Sequence, residues 1–200
     1  MARRNKHSLD EIKAMVLSAA EAIVIEEGGG ALTVRKIAMR VGYTVGSIYM
    51  VFDNMADVIC HVNAKTLEHI ATMLKQQQPQ DLHVLGRAYL DYAHQNHHRW
   101  RLLSDTGFRE NGCASEAYQA SADALINLIE SSLASTNNPN LSNPNVNDPT
   151  QKSLLARTLW AGMQGVCANM LDGGTGSVKA AEASMHLLTT LFCGTVKTGG

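Results

Sequence analysis

The sequence predicts an all-α protein, with an N-terminal three-helix domain containing a helix-turn-helix followed by a larger helical domain. Two observations lead there. Apolar residues recur along most of the chain at i, i+3, i+4 and i+7, the period of a helix that buries one face. No run of alternating β-branched residues occurs, so strands are not expected.

Ser8 followed by Glu11 is a capping box, which predicts a helix from Leu9. Val16, Ala19, Ala20, Ile23 and Val24 make its buried stripe, and Gly28-Gly29-Gly30 ends it. Thr33 is the next cap. Val34, Ile37, Ala38 and Val41 line a short helix closed by Gly42. Thr44 then opens a very short third helix, in which Ile48 and Phe52 point inward. Two helices joined by a tight glycine turn form a helix-turn-helix. Asp53 is expected to cap a long helix carrying Val58, Ile59, Val62, Ile70, Met73 and Leu74, up to Gln76-Gln77-Gln78-Pro79. Beyond it, Leu82, Leu85, Tyr89, Tyr92 and Ala93 make one stripe. Trp100, Leu102 and Leu103 mark a short helix after His97-His98, and Leu125 to Leu133 another. Residues Ser135 to Pro149 hold six asparagines and three of the four prolines, the composition of a long loop. Two apolar helices close the chain, about Thr150 to Asp172 and Ser177 to Thr195.

Composition narrows the function. Hydrophobic residues make up 45% of the 200 and charged residues 18%, which excludes a disordered chain, and a net charge of −1 excludes a bulk polycation. The longest apolar-rich runs without charge, Thr158–Leu171 and Ala183–Val196, are 14 residues each, short of the roughly 20 a membrane span needs. Arg3, Arg4 and Lys6 are followed by Asp10, Glu11 and Lys13 rather than by a signal peptide's apolar stretch, so a cytoplasmic location is expected. Cys60, Cys113, Cys167 and Cys193 lie far apart with no C-x-x-C pair. That argues against a zinc site or a disulfide framework and for small core residues.

Between Gly28 and Phe52 no acidic residue occurs, while Arg35, Lys36 and Arg40 share one helix and Arg3, Arg4 and Lys6 form a basic arm. Such charge sorting on a helix-turn-helix is the footprint expected for a phosphate backbone. Val45, Gly46, Ser47, Tyr49 and Met50 on the third helix are small, hydroxylic or apolar. They suit a helix set deep in a major groove, with hydroxyls on phosphates and apolar groups near thymine methyls.

These residues also resemble a known family. LTVRKIAMRVGYTVGSIYMVFDNMADVICHV, preceded by VLSAAEAIVIEEGG, resembles the DNA-binding signature of the TetR family of one-component bacterial regulators. YLDYAHQNHHRWRLL and LWAGMQGVCANMLDGG resemble the ligand-binding half of a subgroup with Trp-x-Gly in the penultimate helix. The resemblance implies a homodimeric, ligand-responsive regulator, more specifically a repressor released from a palindromic double-stranded operator by a small effector. Residues 1–55 would bind DNA, and residues 56–200 would hold the effector and dimerise. By position, Arg35, Val45 and Met50 would face base edges and Thr33, Thr44, Ser47 and Tyr49 would face phosphates, with Gly46 allowing close approach. Two departures stand out: Met55 replaces a phosphate-binding lysine common in the family, and Val51 a frequent histidine.

Tyr89, Tyr92, Trp100, Phe108, Tyr118, Trp160 and Met163 are the candidate lining of a largely apolar pocket, though any single one of them reads first as core. Leu155, Leu159, Gly162 and Val166, with Met185, Leu188, Leu191 and Phe192, are expected at a four-helix dimer interface. The alternative is a small helical enzyme or metal-binding protein with an incidental helix-turn-helix corner, and it lacks a constellation to carry it. His94, His97 and His98 stand alone, adjacent histidines do not share a helix face, and Asp172 to Ser177 follows no strand. No cofactor and no metal are expected.

Overall fold

A computed structural model describes residues 7–77, 81–105, 115–136, 149–172 and 177–194. Its elements are α1 Leu9–Glu27, a 3-10 turn Gly29–Ala31, α2 Val34–Val41, α3 Val45–Ile48, α4 Met55–Lys75, α5 Leu82–Gln95, α6 His97–Ser104, α7 Glu116–Ala134, α8 Pro149–Leu171 and α9 Val178–Cys193. No strand occurs among the described residues, and none of their helices is long and apolar enough to cross a membrane. The loop expected from Ser135 to Pro149, and the Gly173-Gly174 turn, lie mostly outside the described residues.

The helix starts follow the caps. The Glu11 N–H donates to Ser8 Oγ at 3.2 Å, and the Ser8 N–H donates to the Glu11 carboxylate at 2.7 Å. The Ser8 hydrogen bonds hold the Glu11 carboxyl below its ordinary range. A depressed carboxyl stabilises the fold above its unfolded value, and that contribution is lost as pH falls through the folded one. Thr33 and Thr44 accept from the Lys36 and Ser47 N–H groups, each at 3.2 Å. Gly42 closes α2 in the left-handed region at φ 72°, a conformation costly to any residue with a Cβ. The cap of α4 corrects the expectation. Asn54, not Asp53, accepts from the Asp57 N–H at 2.9 Å, while the Asp57 carboxylate reaches back to the Asp53 N–H at 3.2 Å.

The described chain divides into two compact units, one within residues 1–66 and 98–119, the other within 67–97 and 120–200. This differs from a single boundary after residue 55. The reason lies in α6, which joins the first unit. Leu102 enters a core formed by Ile12, Val16, Ala20, Ile23, Val24, Ile37, Ile48, Phe52, Val58, Ile59 and Val62. His98 Nδ1 lies 3.0 Å from the Ile25 carbonyl near the end of α1, and Arg99 pairs with Glu21 at 3.4 Å.

In the second unit α9 packs against both α5 and α8, and α8 against α5. Two glycines set the spacing. A Cβ at Gly86 on α5 would lie 2.9 Å from Thr189 Cγ2 and 3.1 Å from Met185 Cγ, and one at Gly162 on α8 would lie 3.0 Å from Leu188 Cδ2. Gly86→Ala is therefore expected to lower stability, because overpacking of about 1–3 kcal/mol outweighs a helix-propensity gain of about 1 kcal/mol. Urea unfolding measures it. A raised midpoint would place the two helices further apart than described.

The cysteines split. Cys167 and Cys193 are free thiols, and burial pushes Cys167 up to about 12, so it stays protonated and inert at neutral pH. Cys60, buried on α4, is disulfide-bonded, which corrects the expectation of unpaired core cysteines. Sequence spacing carries no signal of which segments the fold brings within disulfide reach.

Candidate nucleic-acid interface

The α2–α3 corner is built from inward and outward residues that follow the helix period. Ile37, Ala38, Ile48 and Phe52 anchor it in the first core. Facing outward are Arg35, Met39, Tyr49 and Met50, with Met39 79%, Tyr49 46% and Met50 62% exposed. Apolar side chains of this size left in water cost hydration free energy that only a partner surface recovers. Met39 escaped the sequence reading, although its place one turn after Arg35, off the apolar stripe, marks it as outward.

Hydroxyls sit at both helix starts. The Thr33 and Thr44 oxygens accept backbone N–H groups, and Thr44 Oγ1 lies 2.9 Å from Ser47 Oγ. A hydroxyl that accepts still has a proton to donate. Thr33, Thr44 and Gly46 are exposed, and Val45 and Ser47 are half-buried. The Tyr49 hydroxyl bonds to no described residue. His7, where the described chain begins, bonds through Nδ1 to the Tyr43 hydroxyl at 2.7 Å, beside the turn. Arg3, Arg4 and Lys6 of the expected arm, and Phe108 of the expected pocket, lie outside the described residues.

The expected charge footprint needs a correction. Lys36 pairs with Glu27, and Arg40 forms a two-armed contact with Glu26, its Nη1 at 2.9 Å from Oε2. The Arg40 hydrogen bond holds the Glu26 carboxyl below its ordinary range and raises the guanidinium. The acidic end of α1 thus neutralises two of the three α2 cations. Arg35 makes no ion pair with any described residue. Glu26→Gln with Glu27→Gln is therefore expected to tighten DNA binding and to steepen the slope of log K against log salt by up to about 0.9 per freed cation that reaches a phosphate. Salt titration on one duplex measures it, and an unchanged slope would turn Lys36 and Arg40 away from the duplex.

Met55, the first residue of α4, is half-buried and packs on the first core with Val51. Both departures from the family pattern therefore serve packing here.

The candidate pocket residues are less gathered than expected. Tyr89, Tyr92, Trp160 and Met163 are buried in the second unit, whereas Trp100 and Tyr118 fall in the first. A cavity of about 250 Å³ in the second unit is lined instead by His83, Val84, Arg87, Leu90, Glu182, Met185 and His186. Its His83 and His186 ring centroids lie 4.7 Å apart with the rings tilted by 31°, and His83 Nδ1 lies 2.8 Å from Thr189 Oγ1. No pattern in the sequence announced it, because the lining comes from two helices about a hundred residues apart.

The expected dimer stripes divide: Leu191 is exposed, and the others are buried or half-buried within one chain. Leu159 and Met185 are buried within one chain, and Leu188 meets Gly162. Outward lie Leu154, Thr158, Ala161 and Gly165 on α8, and Ala180, Ser184, Leu187 and Leu191 on α9. Leu155, Val166 and Phe192 are half-buried.

A capped helix-turn-helix with an outward-facing arginine and apolar tip, followed by a separate helical unit, defines a helix-turn-helix transcriptional regulator. Residues 16–62 match the family model for bacterial regulatory proteins of the tetR family, and residues 82–192 match the tetracyclin repressor-like C-terminal domain. The chain belongs to the TetR family. Among similar solved structures, a TetR transcriptional regulator from Rhodococcus sp. RHA1 has a TM-score of 0.61 at 17% identity, covering 96% of this chain and 100% of that one. A second transcriptional regulator from the same organism scores 0.66 at 12% identity, covering 90% and 95%. FadR from Bacillus subtilis, in complex with stearoyl-CoA, scores 0.57 at 14% identity, covering 88% and 97%. No curated protein matches the sequence.

Proposed function

We propose that the chain is a cytoplasmic homodimeric repressor that holds a palindromic operator and is released from it by a small, largely apolar effector. Residues 1–55 read DNA, and residues 56–200 hold the effector and dimerise. The observation that carries this reading is the outward face of the α2–α3 corner, where Arg35, with no ion pair among the described residues, is exposed as are Tyr49 and Met50. Arg35, Val45 and Met50 face base edges. Thr33, Thr44, Ser47 and Tyr49 face phosphates, and the arm with Arg3, Arg4 and Lys6 adds backbone contacts. The Trp160-Ala161-Gly162 sequence supports a likeness to the Trp-x-Gly subgroup. Release is a shift between two populations of the dimer, one spaced for successive major grooves and one not. The effector drives it only by binding the second more tightly.

The experiment is selection of fragments from the source genome on the purified protein, followed by footprinting. The expected footprint is two-fold symmetric, with half-sites about 34–36 Å apart, one helical turn. Retention of no fragment above scrambled duplex would defeat the reading.

A further inference from the structure

Among the described residues, the buried side-chain atoms without a hydrogen-bond partner are Asn63 Oδ1, Trp160 Nε1 and Gln164 Nε2. The last two belong together. Trp160 and Gln164 stand one turn apart on α8, on a face shared with buried Met163 and Cys167. Residues at i and i+4 on a helix have Cβ atoms about 5–6 Å apart, and their side chains lean toward the same turn. Trp160 is 8% exposed, and its Nε1 is itself buried. An indole N–H can only donate. Phenylalanine would fill much the same space without a stranded donor, and leucine or methionine would do so at Gln164. A fold that needs only a core has no use for two unmet donors side by side, and such groups call for a partner that completes them.

We propose that Trp160 Nε1 and Gln164 Nε2 form the polar anchor of the ligand site, completed by a neutral, largely apolar ligand carrying a carbonyl-type oxygen, as in a ketone, ester, lactone or amide. The proposal rests on the ligand-responsive reading above. Acceptor character follows from the indole. Neutrality follows from what surrounds the pair. Among the described residues of the second unit no Lys or Arg is buried. On α8, Lys152 and Arg157 are exposed, and Arg157 is already paired with Asp123 at 3.1 Å. A carboxylate placed against the two N–H groups would meet no buried Lys or Arg among the described residues of this unit, and a buried unpaired charge is heavily penalised. Cys167, three residues on from Gln164 on the same buried face, has its thiolate disfavoured by burial alone. The anchor therefore orients the ligand through hydrogen bonds while apolar contact supplies the affinity.

The test uses the full chain labelled with nitrogen-15. Its two tryptophans give two indole signals, and Trp160→Phe identifies one of them. The probes are 2-nonanone, nonane and nonanoate, alike in length and different in the polar group. The ketone is expected to move the Trp160 indole proton downfield and leave that of Trp100 in place. Nonane is expected to leave both in place, and nonanoate to bind at least about tenfold more weakly than the ketone. If no methyl ketone from 2-pentanone to 2-tridecanone moves the Trp160 signal, the proposal is overturned. A measurement without ligand stands beside it. Gln164→Met should leave the melting temperature of the free protein unchanged or raised, because it removes an unmet donor at similar volume. A fall would show that the amide is satisfied within the fold or by a resident water, which also overturns the anchor. The two readings fail separately. A ketone that moves the indole signal but leaves the operator complex intact sustains the anchor and removes the regulatory reading. An effector that releases operator equally from wild type and Gln164→Met, with the Trp160 signal unmoved, does the reverse.

Discussion

Arg35→Ala is expected to lower operator affinity by about 1–3 kcal/mol per half-site, and most of that loss should be loss of discrimination. A two-fold dimer makes the contact twice, so the operator complex should weaken by about 2–6 kcal/mol, roughly 30-fold to more than 10⁴-fold. The structure isolates this residue. Lys36 and Arg40 are held by Glu27 and Glu26, whereas Arg35 reaches outward with no partner among the described residues. A guanidinium free to meet guanine O6 and N7 with two N–H groups reads sequence as well as charge. Tyr49→Ala should behave differently. In the proposed docking this exposed side chain meets a phosphate, so its removal should weaken operator and scrambled duplex alike. Binding isotherms of both variants on both duplexes separate the roles. Equal losses for Arg35→Ala on operator and scrambled DNA would strip it of base reading and leave it a backbone contact.

The contrast between Arg35 and its neighbours shows where the sequence is legible. Caps act over three residues, so Ser8, Thr33 and Thr44 announce their helices, and Gly42 announces the turn. Even there Asn54 displaces Asp53 by one position, since both residues can cap and only the Asp57 geometry decides. The inward residues of the corner were legible for the same local reason. What was not legible depends on residues distant in the chain. No pattern within α2 shows that Glu26 and Glu27 will meet its cations, and none within α6 shows that Leu102 will complete the first core. The pocket reading stopped short for a related cause. An aromatic in a core and an aromatic lining a cavity obey the same helical period, so Tyr89 and Trp160 could be placed inside but not assigned to a cavity. Only the unpartnered indole nitrogen separates Trp160 from a plain core residue.

The same limit governs the dimer surface, and there it changes the experiment. Two apolar helices packed on each other have more than one face, and period alone does not say which face the protomer uses itself. In α8 and α9 the stripe through Leu159, Met185 and Leu188 is used within the chain. A charge at Leu188 would break that packing and would confuse unfolding with dissociation. Leu191 is 54% and Leu187 58% exposed, alongside small residues Ala161, Gly165 and Ser184 that permit close helix approach. In the proposed dimer, two such helices from each protomer would make a four-helix interface about a two-fold axis, the symmetry a palindromic operator requires. Leu191→Glu is therefore expected to leave the helical content of the chain intact while placing two unpaired carboxylates in the interface. At about 3–5 kcal/mol for each uncompensated buried charge, the dimer should weaken by at least about 10⁴-fold. Sedimentation at micromolar concentration should show wild-type dimers and Leu191→Glu monomers. Operator retention should disappear with the dimer, because one helix-turn-helix makes only half the contacts. A Leu191→Glu protein that still sediments as a dimer would move the interface off this face, and a monomeric wild type would remove the dimer altogether.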